Sequence, residues 1–245
     1  LGLFTHERPE WTVEAAAREL RLSQSTAYQY FRSLIDARLV VASRSGRYRI
    51  GPAIIEFDRQ VRQLDPLIRG ADPVMNSLSE SLEWDGVALL CRIYGLTGMC
   101  VDQRARAPRP FSVSYERGRP MPLFRGAASK AILAELPLRP LRRHYEQSSQ
   151  AIAESGLGAD WKSFRSNLRK IRRQGVCVTY EELDPGMMGI SAPVFGPGNE
   201  ILGSIGLVVT IADVIGVGDG VARLSLRVKQ AGEDVTRNLQ LDDGA

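Results

Sequence analysis

The chain has 245 residues, 44% hydrophobic and 24% charged, with a formal net charge of +4, enough to bury one real core or a small and a medium one. Three cysteines (Cys91, Cys100, Cys177) without CxxC spacing, and two distant histidines (His6, His144), exclude a disulfide framework and a metal site and fit free thiols in a reducing cytoplasm. Apolar runs such as "ILGSIGLVV" are too short to span a bilayer, and no signal-peptide pattern opens the sequence, although "LGLFTHE" reads as the tail of a helix.

Residues 1–52 read as helices closed by a hairpin. In "TVEAAAREL", Thr12 is placed to cap a helix carrying Val13, Ala16, Ala17 and Leu20 at helical spacing. After a short break Ser23 is placed to cap "QSTAYQYFRSLIDARL", with Ala27, Tyr30, Phe31 and Leu34 on one face and Ser25, Thr26, Tyr28, Gln29 and Arg32 largely off it. "VVASRSGRYRI" is a strand, a turn and a return strand in which Tyr48 and Ile50 alternate with Arg47 and Arg49. From Arg21 to Ile50 six arginines stand against one acid, Asp36, an excess slightly larger than that of the whole chain. The basic character is therefore regional and points to an anionic partner.

Residues 53–69 predict a linker helix with Ile54, Ile55, Phe57, Val61 and Leu64 as its apolar positions and Pro66 bending or ending it. Residues 70–245 predict an α+β domain. "PVMNSLSESL" is helical, "GVALLCRIYG" and "GMCVDQRA" are paired strands, and "FSVSYERG" is a further strand. "GAASKAILAEL" and two polar segments near 138–147 and 160–173 are helices; "GVCVTYEE", "GISAPVFG" and "EILGSIGLVV" are strands before a closing helix at about 218–239.

A helix, a turn and a second helix exposing Ser, Thr, Tyr, Gln and Arg suit a DNA major groove, and a basic hairpin beside it suits the neighbouring backbone or minor groove. The candidate DNA-binding residues are Ser23, Ser25, Thr26, Tyr28, Gln29, Arg32, Arg44, Arg47 and Arg49. No GxSxG elbow or glycine-rich phosphate loop is present, and Glu181-Glu182 reads as a solvated strand end, so no catalytic residue is assigned and the reading is not an enzyme. The basic "SFRSNLRKIRRQG" segment, with Arg165, Arg169, Lys170, Arg172 and Arg173, reads as a solvated helix face.

"EAAARELRLSQSTAYQYFRSLIDARLVVASRSGRYRIGPAI" resembles the N-terminal domain of the IclR family of bacterial transcriptional regulators. "GRPMPLFRGAASKAILA" and "IRRQGVCVTYEELDPGMMGISAPVFGPGNEILGSIGLV" resemble the family's loop-helix segment and strand tract, in the same order. The resemblance implies a winged helix-turn-helix joined by a linker helix to a GAF-like α/β effector-binding domain. It also implies double-stranded operator DNA as partner, a homodimer or dimer of dimers, a small-molecule effector, and no cofactor. It places the effector against Val113, Met121, Ala127, Ala128, Thr179, Tyr180, Met187, Gly189, Gly206 and Val208.

Here the sequence departs from members that hold small oxo-acids. Positions that carry polar groups there are mostly apolar or vacant, with gaps expected at Gly189 and Gly206 and Thr179 and Tyr180 as the remaining polar handles; Phe124 replaces a loop histidine and Ser129 a glycine. The expected effector has one carboxylate or carbonyl end and an apolar body. A second reading stays open, in which the protein binds DNA without a ligand and residues 70–245 only oligomerise.

Overall fold

Thr12 and Ser23 start the first two helices. The Thr12 hydroxyl accepts from the Ala15 N–H (3.2 Å) at the head of α1, Val13–Glu19, and the Ser23 hydroxyl from the Thr26 N–H (3.2 Å) at the head of α2, Gln24–Asp36. Each bond satisfies an amide that a helix start leaves orphaned. This is a computed structural model, and it describes residues 1–106 and 113–242. Val13, Ala16, Ala17, Ala27 and Phe31 pack with Trp11 and Val40 in one small core. Tyr30, expected on that face, is exposed, because at 100° per residue it falls at the edge of the stripe centred on Ala27, Phe31 and Leu34.

Strands β1 (Val40–Ala42) and β2 (Tyr48–Ile50) form an antiparallel hairpin that pairs Val41 with Arg49 and Ala42 with Tyr48. Its turn places Ser45 and Gly46 in the left-handed region (φ 59° and 68°). Trp11 and Tyr48 exchange backbone hydrogen bonds of 3.0 and 2.8 Å, and the Tyr48 ring meets Phe31 edge-on at 5.1 Å. The hairpin is thus pinned to α2 on one side. Gly51 follows, at a place where a Cβ would lie 2.2 Å from the Arg38 carbonyl oxygen.

The linker helix expected over 53–69 is two helices. α3 spans Ala53–Leu64, Asp65 is extended (ψ 115°), and α4 runs Pro66–Glu80. A residue before proline is pushed out of the helical region, whereas proline itself suits a first helical position. The helix expected to begin at Pro73 therefore begins at Pro66, with Pro73 inside it. The chain's two compact units, Leu1–Asp65 and Pro66–Ala245, divide at the same point.

The larger unit is built on a six-stranded antiparallel sheet of order β5-β4-β3-β8-β7-β6. Its strands are β3 (Gly86–Tyr94), β4 (Thr97–Arg106), β5 (Pro120–Pro122), β6 (Cys177–Tyr180), β7 (Met187–Phe195) and β8 (Ile201–Thr210). Alternation along the strands sends Ala88, Leu90, Ile190, Ile205 and Leu207 into a core with α4 and the closing helix, Gly220–Asp242, which follows the short α8 (Ile211–Ile215) and is α9. Val87, Leu89, Cys91, Cys100 and Val208 join a second core on the opposite face. That core is completed by α5 (Ala127–Glu135), α6 (Leu138–Glu154) and α7 (Trp161–Gln174). Burial on both faces is why β3 and β8 read as continuous apolar runs.

The strand expected at 111–118 lies partly outside the described residues; its described part contains a single bridge, Arg117 to Cys100. On α7, Phe164 and Leu168 are buried, Arg169, Lys170, Arg172 and Arg173 are exposed, and Arg172 pairs with Glu135 at 2.9 Å. The three cysteines are free and buried, and burial pushes the Cys177 thiol up to about 12.

Candidate functional site

The first candidate surface lies on the smaller unit. Ser25, Gln29 and Arg32 share an exposed stripe of α2 by their four- and three-residue spacing. The Ser23, Ser25 and Thr26 hydroxyls bond one another at the helix head (Ser23 to Ser25 3.0 Å, Ser23 to Thr26 2.8 Å). Tyr28 is exposed, but its hydroxyl donates to the Glu14 carboxylate of α1 (2.6 Å). That bond holds the Glu14 carboxyl below its ordinary value and raises the Tyr28 phenol. On the hairpin, Tyr48 turns to the core and Arg47 and Arg49 turn out; Arg44, in the turn, is exposed as well. Arg38 is paired with Glu56 on α3 (2.9 Å), which removes it from the basic surface counted in the sequence. The apolar side chains of α3 are exposed, Ile55 by 73% and Leu64 by 71%.

The second candidate is a cleft in the larger unit, between the head of α5 and strands β6, β7 and β8. Its walls include Leu89, Tyr115, Ala127, Ala128, Thr179, Met187, Gly189, Ser191 and Val208. It is narrow, with a free volume of about 30 Å³, the scale of one or two water molecules. At its head Gly126 turns the chain with φ 77°, and the N–H groups of Ala127 and Ala128 have no hydrogen-bond partner among the described residues. The Ser129 N–H is taken by the Tyr115 hydroxyl (3.1 Å), which also lies 2.7 Å from the Ser129 Oγ. Ser129 in place of glycine thus has a partner, a phenol that burial pushes far up.

The loop Glu181–Gly186 supplies one side of the cleft through Glu182, Leu183 and Asp184. Glu182 accepts the Gly126 N–H (3.0 Å) on one carboxylate oxygen and pairs with the Lys130 ammonium on the other. Arg125 donates to the Glu182 carbonyl (2.7 Å). Asp184 accepts from the Ser114 N–H (2.9 Å) and hydroxyl (2.6 Å). Leu183 lies over Gly126, its Cδ1 2.7 Å from where a Cβ on that glycine would stand.

Of the residues assigned from sequence, Ala127, Ala128, Thr179, Met187, Gly189 and Val208 lie on the cleft wall. Four do not. Val113 and Met121 are buried in the apolar core behind it. Tyr180 follows the inward Thr179 on β6 and so points the other way, half exposed. Gly206 is not a gap: a Cβ there would lie 2.1 Å from the Ser191 Oγ and 2.2 Å from the Ile190 carbonyl oxygen. Gly189 is also filled, by Thr179 and Ala127. Sequence reasoning missed Tyr115, Glu182, Leu183, Asp184 and Ser191. The available signal was Lys130, a cation inside a helix of small apolar residues, which needs an acid.

The profile of the family described as bacterial transcriptional regulator IclR, C-terminal, matches residues 60–237. The chain is 23% identical over 239 residues to the HTH-type transcriptional regulator KipR of Bacillus subtilis, covering 98% of this chain and 93% of that one. Its fold is similar to that of an IclR transcriptional regulator from Alicyclobacillus acidocaldarius (TM-score 0.79, 19% identity, 96% of this chain and 93% of that one). It is also similar to that of an IclR homologue from Microbacterium hydrocarbonoxydans in complex with 4-hydroxybenzoate (TM-score 0.75, 14% identity, 98% and 95%). At these identities the structural likeness speaks for the fold alone. The family match and the curated relative define a bacterial transcriptional regulator, a class whose members are not enzymes. Within it, this chain belongs to the IclR family.

Proposed function

We propose that residues 1–52 form a winged helix-turn-helix that binds double-stranded operator DNA, and that the GAF-like C-terminal unit binds a small-molecule effector that modulates that binding. The observation that carries the DNA reading is the two-sidedness of the hairpin: Tyr48 anchors it to Phe31 while Arg47 and Arg49 stay exposed on its other side. Arginines so placed meet phosphates or a narrow minor groove, while Gln29 and Arg32 on α2 reach base edges. Tyr28, tethered to Glu14, takes a phosphate- or base-facing role only through its remaining lone pair or ring edge.

The effector reading rests on the head of α5, where the Ala127 and Ala128 N–H groups face a carboxylate or carbonyl oxygen and Thr179 supplies a hydroxyl. Leu89, Met187 and Val208 wall an apolar or aromatic body. The 4-hydroxybenzoate held by a protein of similar fold has that combination of an acid and a ring. The exposed apolar row on α3 is covered in this reading by a second copy of the chain, giving a dimer that further pairs into a dimer of dimers. Among the described residues no helix is long and apolar enough to cross a membrane; it is the proposed operator DNA that places the regulator in the cytoplasm.

Selection from a random duplex library tests the reading: the recovered sites should be inverted repeats with half-sites about one helical turn apart or a multiple of it. Recovery of lone half-sites footprinted by a monomer contradicts it. A ligand-independent regulator is distinguished by melting temperature against a metabolite library, since a bound effector must raise it.

A further inference from the structure

The cleft as it stands has no room for an effector, because its free volume is about 30 Å³. One of its walls is the loop after β6, through Glu182, Leu183 and Asp184. Glu181 leaves the strand in the left-handed region (φ 52°), which swings Glu182, Leu183 and Asp184 over the head of α5. The ties that hold Glu182 and Asp184 over the helix head run mainly through their carboxylates, Glu182 to the Gly126 N–H and Lys130 and Asp184 to Ser114, while backbone bonds to Met187 and Ile211 anchor the loop's two ends. Ties of this kind exchange readily for equivalent bonds to a ligand, unlike a packed core.

The Lys130 side chain is only 8% exposed, and Glu182 is its ion-pair partner. Swinging Glu182 out without a replacement leaves a buried ammonium uncompensated, a strongly unfavourable state. Resting on the reading of this cleft as the effector site, we propose that Glu181–Gly186 is a lid latched by an internal anion. In it, an effector's carboxylate that reaches the Ala127 and Ala128 N–H groups also takes over the Gly126 N–H and the Lys130 ammonium, the place the Glu182 carboxylate now holds. The effector class follows. A neutral carbonyl compound that opens the lid orphans Lys130, whereas a carboxylate exchanges one anion for another. The ligand's body then occupies the space that Leu183 vacates, between Met187 and Val208. The lid is also the sensing element, because its position differs between the empty and the filled cleft.

The test compares the full chain with its Glu182→Ala form by titration calorimetry at fixed ionic strength, using benzoate and its neutral isostere benzamide. Removing the internal competitor should tighten benzoate at least tenfold and change benzamide less than threefold. Glu182→Gln, which keeps the shape and loses the charge, serves if the alanine form does not fold, with the same criteria. Adding Lys130→Met to Glu182→Ala should erase the benzoate gain, which a purely structural role for Glu182 would not predict. Benzoate binding that is unchanged, weaker or absent in folded Glu182→Ala overturns the lid, as does an equal gain for benzamide. If both chains bind benzoate equally and Thr179→Val weakens both, the lid is wrong and the cleft remains the effector site. If the gain appears but Thr179→Val and Val208→Trp leave it untouched, the latch stands and the placing of the ligand body in the cleft falls.

Discussion

Replacing Arg47 and Arg49 together by alanine isolates the hairpin's part in DNA binding. Both side chains are exposed and neither belongs to the small core around Trp11 and Phe31, so the variant should unfold within about 0.5 kcal/mol of the parent. If each arginine neutralises one phosphate, its loss lowers the slope of log K against log salt by about 0.9, and the pair by about 1.8. Between roughly 50 and 200 mM salt, a fourfold change, the parent's advantage over the variant should then shrink about 12-fold. The assay is fluorescence anisotropy of a labelled duplex across that salt range, and it needs no knowledge of the operator, since the phosphate contribution is independent of sequence. A parallel Arg165→Ala, Arg169→Ala variant on α7 should leave the slope unchanged. An Arg47→Ala, Arg49→Ala protein whose slope equals the parent's refutes the wing, and a slope lost with the α7 pair instead moves the DNA surface to that helix.

Gly206→Ala should destabilise the larger unit by about 3 kcal/mol, the upper end of the overpacking range or beyond, because the added carbon meets the Ile190 carbonyl at 2.2 Å and the Ser191 Cα at 2.9 Å. Gly189→Ala, whose nearest neighbours are side chains at 3.1 and 3.2 Å, should cost clearly less; urea midpoints that rank the two the other way contradict this packing. His144 is 4% exposed with its Nε2 unpartnered among the described residues, and burial lowers its value below the ordinary 6.5. The unfolded chain therefore binds its proton first on acidification. Stability should be full above about pH 6.5 and fall below it by at most about 1.4 kcal/mol per pH unit for this one group. His144→Phe should lose that fraction of the decline, and identical pH profiles for the two proteins would rule His144 out.

Much of the fold was legible because local rules and tertiary packing agreed. Thr12 and Ser23 have the side chains that helix starts need, and both are caps. Tyr48 and Arg49 alternate as a half-buried hairpin must. Pro66 ends the linker helix as expected, but the extent to 69 was misjudged, because the same residue equally well begins another helix. The extended backbone of Asp65 marks the boundary between the two. The glycines were misread for a related reason. In a sequence Gly206 is an absent side chain, but between two strands the space belongs to whichever neighbour reaches it, and Ser191 does.

The same reasoning explains why the chemistry at the cleft mouth stayed hidden while its walls did not. The walls lie on regular elements, where position along α5, β7 or β8 fixes which way a side chain points. Glu181 and Glu182 were read by that rule as a strand end with one residue on each face, yet β6 stops at Tyr180 and the left-handed Glu181 cancels the alternation. Glu181 then bonds back to the Gly186 N–H (2.8 Å) within its own loop, while Glu182 turns inward to Lys130. Strand period says nothing about a loop. Charge does, because a lysine buried in a helix of alanines has to find an acid. Of the two glutamates that follow β6, Glu182 is the acid this fold delivers to the head of that helix. The residue that looked most like a solvated end is thus the one bound to the helix head beside the cleft.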